Sequence, residues 1–175
     1  MYDATYKIVL FGDVGVGKST LTQKYLTKLF QSDTTMTIGV DFEVKSLLVD
    51  KKKVKLTIWC FGGEERFRFL FPTYVKGADG GIFMYDITNY SSLVHIDDWL
   101  RFIRKKIDNL VPIIIVGCKA DLDEREVSSE EGIEVANSRD MDAFIECSAK
   151  TGENVEEMFE VLTKLMLKKD GIINS

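Results

Sequence analysis

The sequence predicts an α/β fold: a mostly parallel sheet of six strands with one antiparallel edge and helices on both faces. Three observations predict it. Apolar runs and amphipathic helical patterns alternate along all 175 residues. Two of the runs are apolar throughout, as strands covered on both faces are. Only one pair of extended segments lies close enough in the chain to form a hairpin. No linker composition, low-complexity tract or internal repeat interrupts the pattern, so residues 1–175 read as one domain.

Taken in order, Tyr6 to Phe11 (YKIVLF) forms a short buried strand, followed by a glycine-rich turn and a helix from about Lys18 to Leu29. Val40 to Val49 and Val54 to Phe61 are extended and flank Asp50-Lys51-Lys52-Lys53, a polar tetrapeptide suited to a hairpin turn. Gly80 to Tyr85 (GGIFMY) and Val111 to Val116 (VPIIIV) are the continuous apolar runs, each bounded by Gly or Pro. Leu93, Ile96, Leu100, Ile103 and Ile107 recur every three or four residues and give one helix its apolar stripe. Val155, Met158, Phe159, Leu162, Leu165 and Met166 do the same for the last helix, with Asn154 at its N-cap and Glu156 and Glu157 in its first turn. Strands alternating with helices imply right-handed crossovers and hence a parallel sheet. In such sheets ligands bind beyond the carboxyl ends of the strands, so the strand-to-helix loops are where chemistry belongs.

Composition narrows the function. With 23 Lys and Arg against 28 Asp and Glu the net charge is −5, and the pI is about 5.0. No basic block exists to neutralise phosphates, which argues against nucleic acid as a partner. The three cysteines lack C-x-x-C spacing and support neither a disulfide scaffold nor structural zinc. The N-terminus lacks signal-peptide organisation and no apolar stretch approaches about 18 residues. A cytoplasmic protein is expected.

Gly12-Asp13-Val14-Gly15-Val16-Gly17-Lys18-Ser19 matches G-x-x-x-x-G-K-[ST] directly after the first strand and at the start of the first helix. Glycines let the backbone wrap a phosphate chain with its N–H groups inward, and the helix dipole favours the anion. Lys18 adds a charge for the β- and γ-phosphates, and the Ser19 hydroxyl can ligate Mg²⁺. The fold is therefore that of a P-loop NTPase. The loop alone does not choose between ATP and GTP.

Two later loops choose the base. Cys118-Lys119-Ala120-Asp121 follows the strand IIIVG, and Cys147-Ser148-Ala149-Lys150 follows the short run Ala143 to Glu146. A carboxylate on the first loop can accept guanine N1–H and the 2-amino group, which adenine does not offer. Lysine stems can cover the base faces, and the Ala149 N–H can serve the O6 acceptor. An Asp beside a Lys is, on its own, usually a solvated turn; the order and spacing after a P-loop carry the argument.

From Tyr6 to about Leu167 the chain resembles the small Ras-superfamily GTPases, most closely the Rab family. The resemblance rests on GDVGVGKST, TIGVDF at Thr37 to Phe42, WxxGGEERFR at Trp59 to Arg68, Tyr74-Val75-Lys76-Gly77-Ala78, CKAD and SAK. It implies a GTP/GDP-regulated switch of vesicle trafficking that hydrolyses GTP with Mg²⁺. The nucleotide would lie on Asp13, Val14, Gly15, Val16, Gly17, Lys18, Ser19 and Thr20, with its guanine held by Phe30, Cys118, Lys119, Asp121, Ser148, Ala149 and Lys150. Mg²⁺ would be held by Ser19 and Thr37. The Thr37 and Gly63 N–H groups would meet the γ-phosphate, with Lys18 and Glu64 completing the catalytic set. Effectors and regulators would meet the two switch segments and the aromatic triad Phe42, Trp59 and Tyr74. Taken singly and from periodicity alone, each of these aromatics is better suited to a core or half-buried packing position.

Four residues depart from the family pattern. Cys60 stands in place of the Asp of D-x-x-G, which holds a Mg²⁺-bound water; a thiol with reference pKa ~8.5 is mostly neutral and a weak acceptor. Cys60 is equally readable as a small buried strand-end residue. Glu64 replaces the Gln that orients water, and a carboxylate ~4 Å from a phosphate charge meets ~4 kcal/mol of repulsion at an effective dielectric near 20. Outward rotation or pairing with a cation is expected of it. Val14 adds branched bulk beside the γ-phosphate position. Cys118 replaces the Asn of N-K-x-D and forfeits an amide that ties that loop to the P-loop. Guanine binding with slow hydrolysis is the expectation; the alternatives are an interaction module with negligible hydrolysis and a small-molecule P-loop kinase.

His95, the only histidine, reads as a packing or surface residue of an amphipathic helix, and Cys147 as a buried, inert thiol. Lys51-Lys52-Lys53 reads as a solvated hairpin tip. The tail from Lys168 to Ser175 has no cysteine and residue 2 is Tyr, so neither prenylation nor myristoylation is encoded here. The expected state is a monomer without a lipid anchor, peripheral at membranes where it meets them.

Overall fold

The computed structural model describes residues 1–31 and 39–175. Six strands form one sheet in the order β2-β3-β1-β4-β5-β6. They are β1 (Ala4–Phe11), β2 (Val40–Val49), β3 (Lys52–Phe61), β4 (Gly80–Asp86), β5 (Ile113–Cys118) and β6 (Ala143–Glu146). Every neighbouring pair is parallel except β2 with β3, where Phe42 faces Trp59 and Val49 faces Lys52. The predicted sheet, including its antiparallel edge, is the observed one.

The hairpin turn is tighter than the sequence reading gave it. Asp50 and Lys51 alone make it, both with positive φ (48° and 65°), the two-residue geometry whose twist matches the flanking strands. Lys52 and Lys53 are already in the ladder. The helices are α1 (Lys18–Thr27), α2 (Phe71–Val75), α3 (Tyr90–Val94), α4 (Ile96–Arg104), α5 (Ser129–Ser138) and α6 (Val155–Lys169), and a 3₁₀ segment, Glu65–Leu70, leads into α2.

The stripe from Leu93 to Ile107 is divided. His95 ends α3 and begins α4, and Ile107 lies beyond the last turn. Sequence periodicity did not reveal α5, because a run of charged and small residues leaves it only a narrow apolar face. Its start was nevertheless written locally: Ser128 Oγ accepts the Glu131 N–H (3.1 Å), and Glu131 Oε2 accepts the Ser128 N–H (2.8 Å). That reciprocal pair is the S-x-x-E capping box. Asn154 does occupy the N-cap of α6, but in the left-handed region (φ 57°), and its side chain does not cap. Its amide instead donates to the Glu146 carbonyl (2.8 Å), fastening the loop after β6 to that strand.

The sheet carries a core on each side. On one, Tyr6, Ile8, Leu10 and Met84 meet Leu21 and Tyr25 of α1 and Phe159 and Leu162 of α6. Tyr25 and Phe159 stack with centroids 4.0 Å apart. On the other, Phe11, Phe61 and Phe83 meet Phe71, Trp99 and Ile103. Burial on both faces is why β4 and β5 are apolar throughout, and it fixes the carboxyl ends of β1, β3, β4, β5 and β6 at one rim.

Candidate functional site

Four loops from that rim, those after β1, β3, β5 and β6, line a cleft of about 560 Å³. The loop after β1 is bent by glycines in the left-handed region: Gly15 has φ 78° and Gly17, which caps α1, has φ 111°. Gly12 is required for a different reason, since an added Cβ would lie 2.1 Å from the Met84 carbonyl oxygen. The loop therefore lies flat on β4 and presents its main chain to the cleft.

Lys18 is buried, and its ammonium donates to the carbonyls of Gly12 (2.7 Å) and Asp13 (2.8 Å). Burial pulls its pKa down to about 8. At the next residue, Ser19 Oγ and Cys60 Sγ lie 3.7 Å apart. Burial pushes the Cys60 thiol up, so at neutral pH this position carries a neutral sulfur where the family pattern has a carboxylate.

Gly63 comes so close to the P-loop that a Cβ there would stand 2.1 Å from Val14 N and 2.4 Å from Asp13 C. Contact with the loop is thus a second reason for glycine at this position. Glu64 stands at the N-cap of the 3₁₀ segment and its carboxylate pairs with Arg66 Nε; it does not line the cleft. The expected pairing with a cation is what the structure contains.

The Asp13 carboxylate also leaves the cleft. It turns toward α4, accepting the Trp99 indole N–H (2.9 Å) and meeting His95 Nδ1 at 2.5 Å. His95 is therefore neither a core residue nor an idle surface one; it helps hold the P-loop. Arg68 lies over the same Trp99 ring, 4.5 Å from its centroid.

At the far end of the cleft, Asp121 Oδ1 accepts from Ser148 Oγ (2.7 Å), so the two base-side loops are joined side chain to side chain. Ser148 lies behind the wall and acts on the cleft through Asp121. Lys119, at φ 64°, donates to the Gly15 carbonyl (3.0 Å) and pairs with Asp86 (2.7 Å). It supplies the tie to the P-loop that an amide at Cys118 would otherwise give. Phe30, Leu122, Ala149 and Lys150 complete this end, and Phe30 remains 41% exposed.

Of the residues expected from sequence, Val14, Gly15, Val16, Gly17, Lys18, Ser19, Thr20, Phe30, Gly63, Cys118, Lys119, Asp121, Ala149 and Lys150 line the cleft. Thr37 lies outside the described residues. Leu21, Gly62 and Leu122 also line it and were not expected; a glycine beside Gly63 and a leucine beside Asp121 carry little signal of their own.

A nucleoside polyphosphate fits this donor set, with backbone N–H groups and an ammonium at one end and a carboxylate between lysine stems at the other. Mg²⁺ fits the Ser19 end in the way it is usually held, by few protein oxygens. Among the described residues no cluster of His, Cys, Asp or Glu forms a metal cage of its own.

On the β2–β3 face that carries the second core, Phe42 and Trp59 stack at 5.1 Å, and Trp59 meets Tyr74 at 5.4 Å. Phe42 is 54% exposed, whereas Trp59 and Tyr74 are half-buried and pack against that core. The triad is a strip that runs from the edge of the core out to the surface.

Comparison with known proteins agrees with this geometry. The Ras family profile, described as "Ras family", matches residues 7–168. The chain is 38% identical over 168 residues to the Ras-related protein SEC4 of Saccharomyces cerevisiae, covering 96% of this chain and 78% of that protein. It is 40% identical over 172 residues to the Ras-related protein Rab-18-B of Danio rerio, covering 98% and 83%. It is also 41% identical over 170 residues to the Ras-related protein Rab-1 of Theileria parva, covering 96% and 77%.

Proposed function

The chain belongs to the Ras family as a Rab-like small GTPase, and from that premise we propose how its own residues bind guanine nucleotide and why it cleaves GTP slowly. Members of the family bind GTP or GDP with Mg²⁺ and switch between the two states. Here the phosphates lie in the loop from Asp13 to Thr20, where inward N–H groups and the Lys18 ammonium offset their charge. Ser19 and Thr37 hold Mg²⁺, which when bound neutralises charge on the β- and γ-phosphates.

The observation that carries the base assignment is the Ser148–Asp121 hydrogen bond (2.7 Å). It leaves the second carboxylate oxygen of Asp121 and its remaining lone pairs for a ligand's N–H donors, in a wall finished by Lys119, Ala149 and Lys150. Guanine presents two adjacent donors to such a carboxylate; adenine presents none in that arrangement.

Cleavage requires a positioned water attacking in line with the β–γ bond. Glu64, tied to Arg66, has its carboxylate engaged outside the cleft. Val14, 45% exposed on the cleft wall, narrows the approach to the γ-phosphate position. The neutral Cys60 weakens the hold on Mg²⁺-bound water. Together these support slow hydrolysis resting on Lys18, Thr37 and Gly63, with the Glu64 carboxylate turned away from the γ-phosphate position. Effectors and regulators are read through the switch segments and the Phe42–Trp59–Tyr74 strip, by a monomer working in the cytoplasm and at membrane surfaces. Among the described residues no helix is long and apolar enough to cross a membrane.

Nucleotide released by acid from the purified chain tests the base assignment. Guanine nucleotide supports it; adenine nucleotide overturns it.

A further inference from the structure

The two base-side loops bring together two cysteines that the nucleotide reading does not use as a pair. Cys118 ends β5 and lines the cleft; Cys147 follows β6 and is fully buried beneath it. Gly117 and Glu146 are registered partners in the parallel β5–β6 ladder, so Cys118 and Cys147 stand one step further along the same pairing. Hydrogen bonds hold that step in place: Cys147 N–H donates to Gly117 O (2.8 Å), and Ala120 N–H donates to Cys147 O (3.0 Å).

Adjacent strands lie about 4.8 Å apart. That separation falls inside the ~4.4–6.8 Å range of Cα separations that a disulfide spans. Both side chains lie in the same core cluster, on the same face of the sheet. Cys118 Sγ in turn faces the Val116 carbonyl at 4.0 Å. Cys60, the third cysteine, lies at the opposite end of the cleft beside Ser19.

We propose that Cys118 and Cys147 form a redox-active dithiol under the guanine position, which a hydroperoxide oxidises to a disulfide when no nucleotide covers it. The covering by nucleotide rests on the base assignment above; the pairing of the thiols does not. Cys118 is the residue oxidised first, because it alone of the two reaches the cleft wall. Its thiolate attacks the peroxide oxygen, the O–O bond breaks, and hydroxide leaves, giving a sulfenic acid at Cys118. The Cys147 thiol, giving up its proton as it reacts, then attacks that sulfur, the S–S bond forms, the S–O bond breaks, and a second hydroxide leaves. With the two thiol protons the balance is two thiols and one hydrogen peroxide giving one disulfide and two waters. A disulfide here fastens the Cys118–Asp121 loop to the Ser148–Lys150 loop by a covalent bond where the reduced chain has only hydrogen bonds, Ser148–Asp121 among them.

The test exposes the intact chain, either stripped of nucleotide or loaded with GDP, to hydrogen peroxide. Remaining thiols are alkylated and the peptides mapped by mass spectrometry with and without reductant. In the stripped chain two of the three thiols should be lost. The peptides bearing Cys118 and Cys147 should appear joined and two hydrogens lighter. GDP-loaded chain should keep all three over the same exposure. A Cys118→Asn variant should leave Cys147 alkylatable. Three persisting thiols in the stripped wild-type chain, oxidation that stops at one thiol, or a link to Cys60 would overturn the pairing. Equal cross-linking with and without bound GDP would overturn the covering. Retained nucleotide is measured on the same samples by acid release, so absence of guanine nucleotide counts against the base assignment while the stripped chain still decides the dithiol.

Discussion

The two ends of the cleft are fastened differently. At the base end, side chain holds side chain: Ser148 grips Asp121 and Lys119 grips Asp86. At the phosphate end the main chain does the holding, with Lys18 drawn to the Gly12 and Asp13 carbonyls and Gly63 pressed against the Val14 amide. Each end also contains one cysteine where the family pattern has a polar residue, and the consequences differ. At the base end Asp121 remains and Lys119 supplies the missing tie to Gly15. At the phosphate end Cys60 leaves Ser19 facing a neutral sulfur. Selectivity for guanine should therefore survive while the hold on metal and the rate of cleavage fall.

The comparison breaks most readily at Asp121. Asp121→Ala removes an acceptor for two charge-assisted hydrogen bonds, each worth ~1.5–3 kcal/mol. GDP affinity should fall roughly 10²–10⁴-fold by calorimetry or fluorescent-nucleotide displacement. A loss below about tenfold would mean that the base is read elsewhere. Cys60→Asp restores a carboxylate beside Ser19 and should tighten the Mg²⁺ dependence of GDP release by ~10–100-fold, read as the metal concentration that halves the release rate. No change would mean that the sulfur is a packing residue only. Glu64→Gln should raise single-turnover GTP cleavage by about tenfold, ~1.4 kcal/mol, a modest gain because Arg66 already offsets part of the carboxylate's charge. An unchanged or slower rate would remove Glu64 repulsion from the account.

How far these features were legible in the sequence depended on whether the physics was local. The phosphate loop, CKAD and SAK are short contiguous strings whose chemistry can be read in place, and β4 and β5 announced themselves as apolar runs. The hairpin turn was located but made too long, since Asp50-Lys51 and Lys52-Lys53 look alike until the ladder register separates them. Helix α5 has only a narrow apolar face, and its capping box was the one local signal present. The destination of the Asp13 carboxylate, on His95 and Trp99, depends on where α4 lies against β1 and left no trace in the loop itself. The same holds for Cys118 and Cys147, which only the β5–β6 register brings together.

The smallest predicted effect distinguishes the ends by proton count. At the phosphate end Lys18 is pulled down to about 8 and Cys60 is pushed up, both by burial. A lysine with a lowered folded pKa adds stability as pH rises above 8, because the unfolded chain then holds the extra proton. A thiol with a raised folded pKa has its stability present below the unfolded value of ~8.5 and loses it as pH rises toward the folded value. The two act in opposite directions. At the base end the neighbouring Cys118 thiol and burial push the Cys147 thiol up, with no such counterweight. Above about pH 8.5 the nucleotide-free chain should lose about 1.4 kcal/mol per pH unit through this one group. Denaturant titration of Cys147→Ser should show that slope flattened; an unchanged slope would place the alkaline loss elsewhere.

The division of the cleft into a retained base end and a weakened phosphate end is tested most directly by single-turnover GTP cleavage in excess Mg²⁺, with products separated by chromatography. The wild-type chain is run beside the Cys60→Asp/Glu64→Gln double variant. Both should hold guanine nucleotide throughout, with the double variant cleaving GTP at least about tenfold faster. Equal rates in the two, or a wild-type chain that retains no guanine nucleotide, would contradict it.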